Sequence, residues 1–146
     1  MTEDRDTSDA GSTATTAPAR QATTTSSAAG RAADVFVVER PWGRFQQFTH
    51  NEAVTVKTIT VEPGRRLSLQ RHRVRSELWQ VLDGPLDITV DGRHWSAPPG
   101  ELVWVARGAV HRIGNSGAEP GRILEIAFGH FDEDDIERLE DDYARG

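Results

Sequence analysis

The chain has 146 residues, which is the size of one domain, and it contains no cysteine. Disulfides and thiolate metal sites are therefore excluded. The net charge of −6 and the isoelectric point of about 5.3 argue against a general nucleic-acid-binding protein. No apolar run approaches the roughly 18–20 residues that span a membrane, and the acidic start MTEDRDTSDAG lacks the apolar stretch of a signal peptide. The sequence thus predicts a cytoplasmic protein.

The first part of the chain, residues 1–33, consists mostly of Ala, Ser, Thr, Gly and charged residues. It contains no Val, Ile, Leu, Phe or Trp, so it offers almost no apolar surface to offset the entropy lost on ordering. We therefore predict a disordered tail over residues 1–33 and a folded domain over residues 34–146.

From Val35 onward the sequence consists of short β-rich runs separated by turn residues. Strands at this spacing, with no helical pattern between them, predict an all-β sandwich or barrel. Asp91-Gly92, between LDITV and RHW, predicts a two-residue hairpin turn. The runs are VFVV, RFQQF, VTVKTITV, LSLQ, LWQVL, LDITV, ELVWV and RILEIAF.

The last segment, FDEDDIERLEDDYARG, has a different pattern. The acids of residues 132–135 suit a helix N-terminus, where the macrodipole favours negative charge. Ile136, Leu139 and Tyr143 lie at i, i+3 and i+7, which is a narrow apolar stripe. The sequence predicts a short C-terminal helix docked on the barrel, with the acids on its solvated face.

The stretch GRRLSLQRHRVRSELW, residues 64–79, places an amide, an imidazole and a carboxylate among strand-forming residues. In an extended strand Gln70 and His72 share one face, about 7 Å apart. Glu77 begins the next strand, and His111 leads into another. Each of these residues alone would be read as structural. Together they predict a divalent metal site with Gln70, His72, Glu77 and His111 as ligands, suited to Zn, Mn, Fe or Co.

The spacing of these residues resembles the two motifs of the cupin superfamily, with Gln70 in place of the usual first histidine. The second motif has Ala106 where a proline is usual. The resemblance implies a jelly-roll barrel, also called a double-stranded β-helix. The residues that match are Gly64, Gln70, His72, Glu77 and Gly84 in the first motif, and Gly100, Gly108, His111 and Asn115 in the second.

Over residues 37–145 the chain resembles, more narrowly, the C-terminal cupin domain of type II mannose-6-phosphate isomerases. That domain often follows a mannose-1-phosphate guanylyltransferase. The strings that carry the resemblance include RPWG, ITVEPGRRLSLQ and EDDIERLEDDYAR. It implies that Gln70, His72, Glu77 and His111 bind the metal, and that the protein isomerises mannose 6-phosphate to fructose 6-phosphate. Arg73 and Leu78 depart from the histidines common in that family.

The many arginines suit a sugar phosphate, because guanidinium groups match phosphate oxygens. We predict that Arg75 and Arg112 contact the substrate as catalytic residues, and that the other arginines of the stretch, at positions 65, 66, 71 and 73, lie on the surface. The sequence does not identify the general base. Glu125 could face the interior, although an exposed or structurally paired strand residue is the simpler interpretation.

Two other functions fit the same residues. One is a non-catalytic cupin that binds a metal and a small ligand, as a sensor or as the partner subunit of a sugar nucleotidyltransferase. The other is a metal-dependent oxygenase, since two histidines and a carboxylate can hold iron. The predicted partners are a sugar phosphate and a second copy of the chain. We predict that the four tryptophans, Trp42, Trp79, Trp95 and Trp104, belong to the core, and that His50, His94 and His130 lie on the surface.

Overall fold

The computed structural model describes residues 29–143, with side chains from Arg31 onward. This part of the chain contains one short helix and eleven strands, so the predicted all-β class is confirmed. The elements are α1 (Ala29–Ala32), β1 (Phe36–Arg40), β2 (Gly43–Gln47), β3 (Val54–Val61), β4 (Leu69–Arg71), β5 (Arg75–Asp83), β6 (Leu86–Val90), β7 (Arg93–Ala97), β8 (Leu102–Val105), β9 (His111–Gly114), β10 (Gly121–Gly129) and β11 (Glu137–Glu140).

Two antiparallel sheets form the barrel. One has four strands in the order β3-β10-β5-β8, and the other has five in the order β11-β4-β9-β6-β7. Neighbouring strands are often distant in sequence, as in a jelly roll, so the predicted architecture is confirmed. A separate hairpin joins β1 and β2. The predicted turn at Asp91-Gly92 links β6 to β7, and both residues have positive φ, 47° and 79°, as a type I′ turn requires.

The barrel interior changes from apolar to polar along its strands. Val81 and Trp79 of β5 pack against Ile88 and Ile113 of the opposite sheet, and all four are almost completely buried. Because alternate residues share a face, the next inward position on β5 is Glu77. Its neighbour Trp79 is therefore the boundary between the packed core and a group of buried polar side chains.

The outer face of the four-stranded sheet is also covered. Trp104 and Phe128 stack there, with ring centroids 6.3 Å apart, within a second apolar cluster. Ala32 packs against this cluster, and the guanidinium of Arg31 lies 4.5 Å from the Phe128 ring centroid while it pairs with Glu52. The last residues of the predicted tail thus form α1 and contact the sheet. Residues 1–28 of that tail lie outside the described residues.

The predicted C-terminal helix is wrong, because this segment contains a turn followed by strand β11. Strand β11 pairs with β4 and supplies hydrogen bonds to an edge that would otherwise be open, with Glu137 opposite Arg71. Their side chains form an ion pair at 2.7 Å. The apolar stripe expected on the helix is not buried, since Leu139 and Tyr143 are 46% and 40% exposed. Tertiary pairing therefore overrides the local helical pattern.

The remaining predictions about single residues are mostly confirmed. Trp79 and Trp104 are buried and Trp95 is half-buried, but Trp42 is exposed, so its assignment to the core is wrong. Trp42 stands in the two-residue turn between β1 and β2, which no other element covers. The three surface histidines are exposed as predicted. Within the described residues, no helix is long and apolar enough to cross a membrane.

Candidate metal centre

Three of the predicted ligands come together in one buried cluster. Side-chain atoms of His72, Glu77 and His111 that could bind a metal lie within 4.8 Å of one another, and all three residues are at most 2% exposed. Glu77 lies on β5 of the four-stranded sheet and His111 on β9 of the facing sheet. His72 is the residue that directly follows β4, in the same sheet as β9. The cluster therefore bridges the two sheets.

Backbone carbonyls orient both histidine rings. The Nδ1 of His72 lies 2.8 Å from the carbonyl oxygen of Asp135, and the Nδ1 of His111 lies 2.8 Å from that of Ala109. A carbonyl only accepts hydrogen bonds, so each Nδ1 carries a proton and each Nε2 is the ring atom that faces the cluster. This is the arrangement in which metal-binding histidines are usually held.

The Nε2 of His111 has no hydrogen-bond partner, and it is the one such buried side-chain atom among the described residues. Burial lowers the pKa of His111, although the charge of Glu77 raises it, so the ring is kept neutral. Its nearest charged neighbour is Oε2 of Glu77, 3.7 Å away, which is also an acceptor. The Nε2 of His111 thus faces another acceptor and lacks a partner of its own, and a metal cation would provide one.

Glu77 is the centre of charge in the cluster. Its Oε1 lies 3.2 Å from Nε2 of His72 and 3.2 Å from Nε of Arg75, and its Oε2 accepts a 2.9 Å hydrogen bond from Nε1 of Trp79. Burial raises the pKa of Glu77. The hydrogen bond with His72 and the charges of His111, His72 and Arg75 outweigh burial and lower this pKa to about 2. The carboxylate is thus ionised and ready to bind a cation.

Arg75, predicted as a substrate contact, lies in the cluster itself and is 4% exposed. Its Nη2 is 3.2 Å from Nε2 of His72, its Nη1 donates to the carbonyl oxygen of Asp132, and its guanidinium lies 4.3 Å from the ring centroid of Phe131. The guanidinium therefore contacts the atoms of His72 and Glu77 that would bind a metal.

The other two predicted residues lie beside the cluster. Gln70 is directly opposite His111 in the sheet, and its Oε1 accepts a 2.7 Å hydrogen bond from Ser68. Arg112 alternates with His111 on β9, so its side chain belongs to the other face of the sheet. Its Nε donates to the carbonyl of Leu67 and its Nη1 pairs with Glu140 at 3.1 Å. The structure therefore gathers Gln70 and Arg75 with the cluster, and ties Arg112 to the C-terminal strand.

Asp135 holds residues of the site in place, a role that no pattern in the sequence predicts. Besides the carbonyl that holds His72, its carboxylate accepts hydrogen bonds from the backbone amides of Arg73 and Val74, at 2.9–3.1 Å. The interpretation of this residue as part of a solvated helix face is wrong. No local signal distinguishes it from the neighbouring acids, because its position depends on the pairing of β11 with β4.

A cavity of about 230 Å³ opens next to the cluster. Gln70, Arg75 and His111 reach it from the metal site, and Lys57 and Glu125 line it from β3 and β10. Glu125 is 6% exposed and forms no hydrogen bond or ion pair with any described residue, so its interpretation as an exposed or paired strand residue is wrong. Burial, together with the nearby charge of Glu77, raises its pKa to about 7.

A jelly-roll barrel with this buried cluster defines the chain as a cupin with a candidate metal centre. Sequence comparison gives the family: the profile described as mannose-6-phosphate isomerase C-terminal matches residues 30–141. The chain belongs to this family.

Curated relatives agree with this assignment. Over 109 residues, or 74% of the chain, it is 41% identical to the alginate biosynthesis protein AlgA of Pseudomonas aeruginosa. It is 38% identical, over the same length, to the mannose-1-phosphate guanylyltransferase ManC of Salmonella typhimurium. The match covers 23% of each relative, so the chain corresponds to about a quarter of their length.

Solved structures support the fold. A cupin 2 domain-containing protein from Halorhodospira halophila is 28% identical with a TM-score of 0.50, covering 60% of this chain and 64% of that one. The capsular polysaccharide assembling protein CapF of Staphylococcus aureus matches with a TM-score of 0.56 over 73% of this chain and 34% of that one. At 19% identity, the CapF likeness concerns the fold alone.

Proposed function

We propose that the protein is a metal-dependent aldose–ketose isomerase that interconverts mannose 6-phosphate and fructose 6-phosphate. The observation that carries the proposal is the buried cluster of His72, Glu77 and His111, with the unpartnered Nε2 of His111, at the wall of a polar cavity. Membership of the mannose-6-phosphate isomerase C-terminal family supports the choice of reaction and substrate.

The residues present fit a divalent cation. Two imidazoles and one ionised carboxylate offer nitrogen and oxygen donors, and Gln70 beside them provides an amide oxygen. Such donors suit Zn, and also Mn, Co or Fe, with coordination positions left for substrate oxygens. Bound there, the cation would supply Lewis-acid stabilisation of the negative charge that develops on the sugar oxygens.

The chain itself contributes charge and shape to the cavity. A sugar phosphate is dianionic at neutral pH, and the cationic side chains of Lys57 and Arg75 line the cavity. Arg75 is held by Glu77 and Asp132, so its charge has a fixed position. We assign to Arg75 the electrostatic stabilisation of the reacting oxygens, and to Arg112 the placement of strand β11 beside the substrate.

A second candidate is a cupin that binds a metal and a ligand without turnover, as a sensor or as the partner of a nucleotidyltransferase. The similarity to ManC, a mannose-1-phosphate guanylyltransferase, favours it. An oxygenase would use the same two histidines and carboxylate with iron. Oxygen consumption by the iron-loaded protein separates this third candidate from the other two.

The test combines metal analysis with an assay of the same sample. We expect about one divalent metal per chain by mass spectrometry of the purified protein, and interconversion of the two sugar phosphates. His72→Ala removes both. His94→Ala, which changes an exposed histidine on β7, preserves both. Metal without turnover supports the second candidate, and a wild-type protein that binds no divalent metal contradicts the proposed site. The predicted homodimer belongs to the same proposal, and light scattering tests it.

A further inference from the structure

Glu125 is a buried carboxylate that the candidate metal centre does not use. It stands in the middle of β10, the strand between β3 and β5, and it lines the same cavity as His111 and Gln70. Ile123 and Ala127, two positions away on either side, also face the interior and are completely buried. Glu125 is thus a charged interruption in an otherwise apolar inward-facing row.

The register places Glu125 one step from the metal cluster. Its direct partner on β5 is Trp79, and Glu77 is the next inward residue of that strand. Diagonal neighbours of this kind are about 7–8 Å apart. A sugar whose C1 and C2 oxygens lie at the metal cluster would therefore have its reacting carbons between Glu77 and Glu125. The glutamate side chain is long enough to reach these carbons.

The cation that lies beside Glu125 on β3 does not neutralise it. Lys57 is the direct partner of Glu125 on β3, but its Nζ pairs with Glu133 at 2.7 Å and lies 4.1 Å from the Phe131 ring centroid. Burial and the charge of Glu77 raise the pKa of Glu125 to about 7, which is near the value that suits a general base at neutral pH. A largely buried carboxylate that faces a cavity without an ion-pair partner costs stability, so its presence calls for a function.

We propose that Glu125 is the catalytic residue that transfers the proton between C2 and C1 of the sugar phosphate, an inference that rests on the proposed isomerase function. Its carboxylate takes the proton from C2 of the open-chain aldose. The electron pair of that bond forms the C1–C2 double bond of a cis-enediolate, and the carbonyl π pair moves to O1. Glu125 exchanges this proton with water of the cavity and protonates C1, which takes up the C1–C2 π pair. An O2 electron pair forms the C2 carbonyl, and the O2 hydroxyl proton moves to O1. The sum is an isomerisation with no net gain or loss of protons or electrons.

The experiment compares wild-type protein with Glu125→Gln in deuterated water, with mannose 6-phosphate as substrate. Loss of a general base typically slows a reaction by about 10²–10⁴-fold. We expect deuterium incorporation at the sugar carbons, followed by NMR, to fall by that factor in Glu125→Gln. Metal content and the affinity for sorbitol 6-phosphate, an alditol that cannot isomerise, stay within about threefold of wild type, because Gln keeps the size of the side chain.

The matched control is Glu101→Gln, which removes the charge of a half-buried glutamate that accepts a hydrogen bond from Trp95. It preserves the exchange rate. Exchange within tenfold of wild type in Glu125→Gln overturns the assignment and leaves the proposed isomerase intact. Loss of metal or of sorbitol 6-phosphate binding in this variant also overturns it, by giving Glu125 a structural role. Absence of interconversion of the two sugar phosphates by metal-loaded wild-type protein contradicts the proposed function, and the assignment falls with it.

Discussion

Arginine pairs with carboxylate in two very different places in this molecule. Inside the barrel, Arg75 contacts Glu77, and both side chains are at most 4% exposed. On the outside, Arg71 pairs with Glu137 through side chains that are 43% and 50% exposed. Buried charges depend on their partners, since neither water nor salt can replace them, whereas exposed pairs contribute little.

The comparison explains the basic stretch of residues 64–79. Its arginines divide between the two places, because Arg71 ends β4 at the edge beside β11, whereas Arg75 begins β5 on the same face as Glu77. Arg66 and Arg71 pair with Asp142 and Glu137 of the C-terminal segment, while Arg75 enters the metal cluster. Most of the positive charge thus attaches the C-terminal segment to the barrel, and one residue of that segment, Asp135, holds the His72 ring.

The largest expected effect comes from breaking the buried pair. Glu77→Gln leaves the guanidinium of Arg75 buried without a negative partner, which typically costs about 3–5 kcal/mol. We expect urea unfolding of the metal-free variant to show a loss of this size in the free energy of unfolding. Its metal affinity also falls, because a neutral amide replaces the anionic ligand. Glu101→Gln is the control. A loss under about 1 kcal/mol in Glu77→Gln would contradict the expectation.

A second comparison sets Glu77 against Glu125, whose pKa values move in opposite directions. The pKa of Glu77 is lowered to about 2, so this residue stabilises the fold above its unfolded pKa of about 4.5, and the contribution is lost as the pH falls toward 2. The pKa of Glu125 is raised to about 7, so the folded state holds this proton more tightly than the unfolded state does. The resulting stabilisation is complete below pH 4.5 and is lost as the pH rises through 7.

Glu125→Gln should therefore change the pH dependence of stability. The shift of its pKa corresponds to at most about 3 kcal/mol. We expect metal-free Glu125→Gln to be more stable than wild type at pH 8 by up to this amount, and equally stable at pH 4. Unfolding curves at the two pH values measure the difference. A variant that is less stable than wild type at pH 8 would show that the carboxylate is stabilised by its surroundings.

The sequence predicts features that depend on local pattern and misses those that depend on distant pairing. Alternation and turn residues predict the strands and the turn at Asp91-Gly92, and motif spacing predicts His72, Glu77 and His111. Strand β11 was missed because its hydrogen-bond partners lie on β4, some 65 residues earlier in the chain. The role of Glu125 was open for a similar reason. Alternation along β10 shows which residues share a face, but it does not show that a cavity lies on that side.

The smallest expected effect concerns the exposed pair. Arg71→Gln and Glu137→Gln, singly and together, form a double-mutant cycle for an ion pair that is half exposed at both ends. At 150 mM salt we expect no measurable coupling, because water and ions already solvate both charges. The same cycle on Arg75 and Glu77 should give a coupling well above experimental error, since water does not reach either charge. Equal coupling in the two cycles would mean that the pairing of β11 with β4 depends on the exposed ion pair of Arg71 and Glu137. The attachment of the C-terminal segment would then be electrostatic. Added salt would in that case release Asp135 from the His72 ring and weaken metal binding.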